Sequence, residues 1–413
     1  MPTSPERPIP FAAVDHRRQR GRVFGILPAD LLRHVHVLGK TGMGKSALLE
    51  HLFLGLIERG AGCGLIDPHG DLADRVLDLI PSRRTNDVVL FDAADLDHPV
   101  SLNPLDYRSP RERLLVVPGV LGIFHKVFHE FWGPRMEHVF RNTLLALLDT
   151  EGPTLLGVLR MLVEDAYRAK VVARIRDPIV LHYWTHEFPS YGASFAAEIV
   201  APVQNKVAAV LTSPVLRGIL AQGRSTIRAQ EVMDHGRIFI AKVAKGEVGE
   251  DASAMLGAVL TTSFQLATYA RAALPPAARR PFTLLIDEFA SFSTRSFGEL
   301  LSEARKYGLG LVLSHQYLAQ LDEDLRAAVM GNAGTTVAFR LGADDAKVIG
   351  EEFSPEVDAE TLVRLDRHQI ALRLALQGVS TVAFTAATLP PVSDFVARAA
   401  MIRRISSERY GRP

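Results

Sequence analysis

The stretch His34–Arg59, HVHVLGKTGMGKSALLEHLFLGLIER, restricts the possible folds more than any other part of the chain. Gly39, Gly44, Lys45 and Ser46 satisfy the spacing G-x-x-x-x-G-K-S/T, and the flanks carry two different periodicities. Val35–Leu38, with His34 and His36, alternates as a short strand. Leu48, Leu49, Leu52, Phe53, Leu56 and Ile57 recur at the period of an amphipathic helix, which Gly60 stops. A strand, a glycine loop and a helix in that order make a phosphate cradle. Glycines let backbone N–H groups turn toward phosphate oxygens, and the helix N-terminus adds about half a positive charge at the same point. Gly39, Lys40, Thr41, Gly42, Met43, Gly44, Lys45 and Ser46 are therefore the expected nucleotide-binding loop. Lys45 is expected on the β- and γ-phosphates and the Ser46 hydroxyl on Mg²⁺, so ATP and Mg²⁺ are the expected ligands.

Such a loop belongs to an α/β protein, and the rest of the chain supplies the strands. Cys63–Asp67 is a second strand, running into Pro68-His69-Gly70-Asp71. An acid at a strand's carboxyl end faces the ligand crevice, although Asp71 equally suits the N-cap of a helix through Leu72–Leu79. Asp87–Asp92 is a third strand, and Leu102–Leu105 closes this first segment. From about Pro110 to Glu231 strand alternation gives way to helical periodicity. Pro134 fits a first helical turn, Thr154 a cap, and Pro202 is expected to break or kink a helix over Ser194–Leu211. Strands return at Arg237–Val243, Phe282–Ile286, Gly310–Ser314 and Thr335–Arg340. Ile370–Leu376 and Ser380–Phe384 flank Gly378 as a hairpin, and Ser296 with Glu299 reads as a capping box for a helix ending at Gly308. The fold class is α/β, with a mainly parallel sheet and an inserted all-α domain. Residues 1–21 read as a flexible basic arm, holding Pro2, Pro5, Pro8, Pro10, Arg17, Arg18 and Arg20, and better suited to a solvated tail than to a nucleic-acid contact. The core then occupies 22–105 and 232–390, the helical insertion 106–231, and a helical, basic tail 391–413.

The strand Phe282–Ile286 leads straight into Asp287 and Glu288. A buried strand delivering two carboxylates to the phosphate edge is what a hydrolytic phosphate-loop protein needs: Asp287 for Mg²⁺, through water, and Glu288 for the attacking water. Gln316, after the next strand, is either a γ-phosphate sensor or an ordinary strand-end polar residue. Adjacent acids and the lack of an arginine-rich lid segment argue against a small-molecule kinase. With 47 basic against 46 acidic residues, no global basic surface exists, so any nucleic-acid contact is local. Lys242 and Lys245 are candidates for such a contact, or else residues of a solvated loop. His125 and His129 sit four apart with His138 beyond, but no further ligand at a recognisable spacing makes a metal site. The single cysteine, Cys63, suits a reducing compartment. Ala252–Ala270 carries no charge but is too rich in Ser, Thr and Gln for a membrane span, and Met1–Pro10 lacks the apolar core of a signal peptide. A soluble, cytoplasmic protein is expected.

With both halves placed, the chain resembles the HerA–FtsK superfamily of RecA-like DNA-pumping ATPases, and within it conjugative coupling proteins of the TraG/TraD type found with type IV secretion systems. The resemblance rests on HVLGKTGMGKS, LIDPHGD, SLNPL, WGPRMEHVFRN, LLIDEFASF, LSEARKYGLGLVLSHQYLAQL and GNAGTTVAFRLGADDA, in the family's order over Val23–Phe353. It implies a RecA-like P-loop core and a hexameric ring that binds ATP between neighbours and draws DNA through a central channel. It further implies that the helical insertion helps recognise the substrate or the nucleoprotein complex, and that relaxase or secretion-system proteins are partners. Gly39–Ser46 becomes the Walker A loop, Asp287 and Glu288 the Walker B pair, and Gln316 the sensor. Arg305 and Arg340 become candidate arginine fingers, against the plainer reading of surface ion pairs. Membrane-bound coupling proteins begin with transmembrane helices and this sequence shows none, so a soluble motor or membrane-free variant is expected. The alternative function is an ATPase that remodels or delivers proteins with little direct DNA affinity.

Overall fold

The computed structural model describes residues 7–15, 21–294 and 296–412. The first strands are β1 Ile9–Val14, β2 Val23–Ile26, β3 Val35–Leu38, β4 Gly62–Asp67 and β5 Val88–Asp92. After a helical interval come β6 Ile238–Lys242, β7 Phe282–Ile286, β8 Leu309–His315 and β9 Thr335–Ala338. β10 Gln369–Arg373, β11 Ala375–Leu376, β12 Val379–Ser380 and β13 Phe384–Thr388 follow. Among the described residues, eleven strands share one sheet in the order β2-β1-β13-β10-β9-β3-β8-β7-β4-β6-β5.

From β9 to β5 every pairing is parallel. Every residue of β3, β4, β6, β7, β8 and β9 is buried, which is why a strand such as β7 reads as an unbroken apolar run, while the alternation of β3 comes from a buried polar His36. Beyond β9 the pairings through β10, β13, β1 and β2 are antiparallel. Parallel pairing puts all carboxyl ends of the inner strands on one edge of the sheet. The loop after β3, the acids after β7, Gln316 after β8 and the Pro68 turn after β4 thus share that edge. The turn that precedes β8 lies on the opposite one.

Apolar side chains fill both faces. Helices Lys45–Glu58 and Asp71–Leu77 cover one face. On the other, helix Glu250–Ala270 lies beneath β6 and β7, and helix Pro110–Val127 packs along it. The helices between β5 and β6 continue that same core: Ala193–Thr212 rests on Pro134–Leu147 and Leu155–Val163. The uncharged character of Glu250–Ala270 after its first turn follows from burial. At Gly257 a Cβ would meet the Phe292 ring at 2.1 Å, so the helix must approach closely there. No single helix among the described residues is long and apolar enough to cross a membrane.

Three expectations need correction. Ile9–Val14 is a strand inside the sheet, not part of a flexible arm; it pairs with β13 and β2, and Ile9, Phe11 and Ala12 are buried. Its second partner, β13, stands hundreds of residues further along the chain, which local patterns cannot reveal. Arg17, Arg18 and Arg20 lie outside the described residues. Of the expected break or kink at Pro202, the break does not occur: Ala193–Thr212 is a continuous helix with Val203, Val207 and Val210 on its buried face. The Ser296–Glu299 capping box is absent, because Ser296 already has helical φ (−68°) and its hydroxyl bonds Thr294 and Gln265 instead. The hairpin around Gly378 is present as β10–β13, with Gln377 and Gly378 at its turn. After it, helix Ala399–Tyr410 covers the edge strand β5, where the Ser406 hydroxyl accepts from Leu90 N at 2.9 Å and donates to Leu90 O at 3.2 Å.

Candidate nucleotide site

The loop 39–46 is braced from behind. Gly39 N donates to His315 O at 3.3 Å and Lys40 N to Arg340 O at 3.1 Å, while His368 N donates to Met43 O at 2.9 Å. Gly44 has φ +117°, and a Cβ there would meet His368 Nδ1 at 2.7 Å, so the loop needs glycine at that point. Helix Lys45–Glu58 starts from Gly44 with no side-chain cap, leaving its first N–H groups facing the loop. Lys45 is buried and its Nζ donates to Gly39 O at 2.5 Å and Lys40 O at 3.3 Å. Burial lowers its pKa, against the pull of Glu288 and Asp287. Ser46 is exposed at the start of the helix.

The acids arrive from β7. Asp287 N extends the ladder by donating to Ile66 O at 3.1 Å. Its Oδ1 accepts from Ser314 Oγ at 2.8 Å and from Glu288 N at 3.1 Å. Glu288 holds the left-handed conformation, φ +49°, uncommon for a residue with a side chain and suited to turning its carboxylate out of the strand direction. Gln316 Nε2 donates to Glu288 Oε1 at 2.8 Å. The expected sensor thus meets the expected water-activating acid directly. Burial pushes the Asp287 carboxyl up, with Asp67 and Glu288 adding to the effect and the Ser314 hydroxyl and Lys45 opposing it.

Two members of this cluster escaped the sequence reading. Ser314 lies two residues before Gln316, so alternation along β8 could have revealed it. Asp67 stands beside Asp287 because Ile66 pairs with Ile286 in parallel register, and no local signal reports strand order. Asp67, not Asp71, accepts from the backbone at the following helix, from His69 N at 2.9 Å and Ala73 N at 2.8 Å. The donor set suits a hard divalent cation. Ser46 and Asp287 offer oxygens, and Asp287, raised by burial and further by Asp67 and Glu288, is a carboxylate that added positive charge would stabilise.

The remaining candidates separate. Arg340 reaches the loop only through its carbonyl; its Nε donates to Leu365 O at 2.6 Å and its guanidinium stands 3.8 Å from Asp366. Arg305 is exposed in the turn Ala304–Tyr307 before β8, on the sheet edge opposite its own loop. Lys242 is not available to a nucleic acid: it is buried and ion-paired to Glu247 at 2.7 Å and Asp74 at 3.1 Å. Lys245 is half-buried at the start of the next helical turn. His125 packs edge-on against Trp132, and His138 pairs with Glu187 at 3.1 Å.

Comparison with known proteins bears on both halves of the site. A family described as "Helicase HerA, central domain" matches residues 26–113, and one described as "TraM recognition site of TraD and TraG" matches residues 281–367. No curated protein matches the chain. Among solved structures, the plasmid coupling protein TrwB in complex with ADP and Mg²⁺ aligns with TM-score 0.64 at 17% identity, covering 91% of this chain and 88% of TrwB. The unbound conjugative coupling protein TrwBdeltaN70 gives 0.60 at 16%, covering 92% and 88%. VirB4 of Thermoanaerobacter pseudethanolicus gives 0.61 at 15%, covering 94% and 97%. At these identities the structures establish a shared fold. The expected Walker A loop, residues 39–46, falls in the HerA-matched region and the expected Walker B pair, Asp287 and Glu288, in the TraG/TraD-matched region; the chain is a P-loop ATPase that is similar to the HerA and TraG/TraD proteins over those two segments and shares the fold of the conjugative coupling proteins.

Proposed function

We propose that this chain hydrolyses ATP in a hexameric ring in the cytoplasm and uses the energy to move DNA, or a nucleoprotein complex, in the manner of a conjugative coupling protein. The observation that carries the hydrolytic part is the Glu288–Gln316 contact at 2.8 Å beside Lys45 and Asp287. Lys45, freed from the loop carbonyls, binds the β- and γ-phosphate oxygens. Glu288 orients a water and takes its proton as the water oxygen bonds to the γ-phosphorus, with ADP leaving. Gln316 holds the Glu288 carboxylate in place and can exchange that bond for one to the γ-phosphate. Ser46 and Asp287 would hold Mg²⁺, which neutralises phosphate charge when bound.

Arg305 supports the ring. Standing on the edge away from its own loop, it can serve only a nucleotide held by a neighbour. TrwB and VirB4 supply the context of conjugation and secretion, and relaxase or secretion-system proteins are the proposed partners. The expected all-α domain, 106–231, is the proposed substrate-recognising part.

The test is ATP turnover with and without single- and double-stranded DNA. Stimulation that fades between about 50 and 200 mM salt supports DNA as cargo, since phosphate contacts release counterions. No stimulation and no binding at low salt favours the protein-remodelling alternative, which the near-neutral charge balance keeps in play. Mixing Arg305→Ala with Glu288→Gln chains tests the ring: regained activity in mixed assemblies places the arginine in trans. A dead mixture, in assemblies shown to contain both chains, removes Arg305 from that role.

A further inference from the structure

Two histidines lie stacked inside the sheet beneath the site. His36 on β3 and His315 at the end of β8 are both fully buried, with ring centroids 5.0 Å apart and Nε2 atoms 2.7 Å apart. The proton between them can be assigned. His315 Nδ1 lies 3.1 Å from Tyr317 O, a carbonyl that only accepts, so Nδ1 carries the hydrogen. In a neutral ring His315 Nε2 is then an acceptor, and His36 Nε2 must donate to it. His36 Nδ1 is left bare, and it has no partner. Burial keeps both rings neutral at pH 7, His36 far below its ordinary range and His315 at about 4.

His315 also touches the sensor turn, the phosphate loop and the residue after Glu288. It immediately precedes Gln316, and its bond to Tyr317 O closes the turn that projects Gln316 toward Glu288. Gln320 Oε1 holds the same turn, accepting from Gln316 N at 2.9 Å and Tyr317 N at 3.1 Å. The His315 carbonyl accepts from Gly39 N, the first residue of the phosphate loop. Its ring meets Phe289, the residue after Glu288, edge to face at 5.2 Å.

We propose that His315 is a positioning residue for Gln316: its Nδ1–H bond to Tyr317 O sets the sensor's geometry, and the His36 donor fixes the tautomer that makes this bond possible. The inference rests on the hydrolytic reading above and adds residues to it. It also gives His36 a reason to be polar where the strand is otherwise apolar.

The test measures ATP turnover and mant-ATP binding by the full chain. His315→Phe keeps the ring and its packing but removes the donor. His315→Asn loses packing but places an amide N–H near the former Nδ1. A positioning role predicts that His315→Phe lowers kcat about tenfold or more with KM nearly unchanged, and that His315→Asn recovers most of it. Combining His315→Phe with Gln316→Ala should then be no worse than Gln316→Ala alone. A purely structural role predicts the reverse order, Phe above Asn, with additive effects, and that outcome overturns the inference while leaving the hydrolytic reading intact. If Gln316→Ala hydrolyses ATP as the wild type does, the sensor role and this inference fall together. A wild type that binds mant-ATP without turning over ATP removes the hydrolytic reading as well. Binding of mant-ATP by each variant shows that it is folded.

Discussion

Two lysines stand on the same edge of the sheet, almost equally hidden, and only one of them is paired with acids. Lys45 is 7% exposed and Lys242 8%. Lys242 is satisfied: Glu247 and Asp74 hold it, and although burial lowers its pKa, those bonds outweigh burial and leave the pKa raised. Lys45 has only loop carbonyls, which accept hydrogen bonds but carry no charge, and its pKa is lowered. The acids nearest it, Asp287 and Glu288, are engaged with Ser314 and Gln316 instead. Burial of a charge therefore does not mark function. What sets Lys45 apart is a buried charge held by uncharged acceptors, where an incoming polyanion would supply what the fold withholds.

The sharpest way to break this contrast is to remove each lysine. Lys45→Ala should lower kcat/KM for ATP on the order of 10³-fold and weaken mant-ATP binding with it. Lys242→Met should leave both within about twofold, since no nucleotide contact is lost. Equal loss in the two variants would erase the distinction. Next in size is Glu288→Gln, which should keep nucleotide affinity and lose turnover by about 10²–10⁴-fold, as expected for an acid acting on water rather than on the bound phosphates. Turnover like that of the wild type would take Glu288 out of the catalytic group.

Titration separates the two regions from opposite ends. His34 and His315 flank the β3–β8 pair, and burial, chiefly, depresses each to about 4. Their stabilisation is complete above the unfolded value near 6.5 and is lost as pH falls toward 4, because the unfolded chain takes up protons first; each weakens the fold by up to about 1.4 kcal/mol per pH unit in that window. Lys242, with its pKa raised, contributes fully below 10.5 and loses that contribution as pH rises through its folded value. Urea unfolding across pH should therefore show an acid limb that flattens in His34→Gln and an alkaline limb that flattens in Lys242→Met. An acid limb unaltered in His34→Gln would remove His34 from the account. The smallest effect is the cost of Lys242→Met at pH 7. Its partners are partly exposed, so screening holds the loss to about 1–2 kcal/mol, well under a fully buried pair. A loss above that range would mean the pair is drier than its surroundings indicate.

What the residues alone disclosed was whatever is local. The loop after β3 announces itself through glycine spacing and a change of period across a few residues. Asp287 and Glu288 were legible because a buried parallel strand reads as an apolar run ending abruptly in charge. Asp67 and the His36–His315 pair were not legible, since each acts across a strand boundary and strand order is not written in any window of sequence. Lys242 misled for the same reason: a lysine ending a strand looks free until Asp74 and Glu247 are seen around it. β1 shows the limit plainly, as proline-flanked residues read as a tail pair with β2 and join the main sheet through β13, hundreds of residues away in sequence.

That last pairing bears on how the molecule is made. A ribosome releases β1 and β2 long before β13, the strand that joins them to the rest of the sheet. The helix that covers the opposite border, Ala399–Tyr410 against β5, is later still. Throughout synthesis the nascent sheet therefore has open backbone on both flanks, while its centre, with the nucleotide loop and the acids, already has its neighbours. The segment from β13 to Ala399–Tyr410 acts as a clasp, and a polypeptide cut short before it would carry a complete glycine loop between two sticky margins.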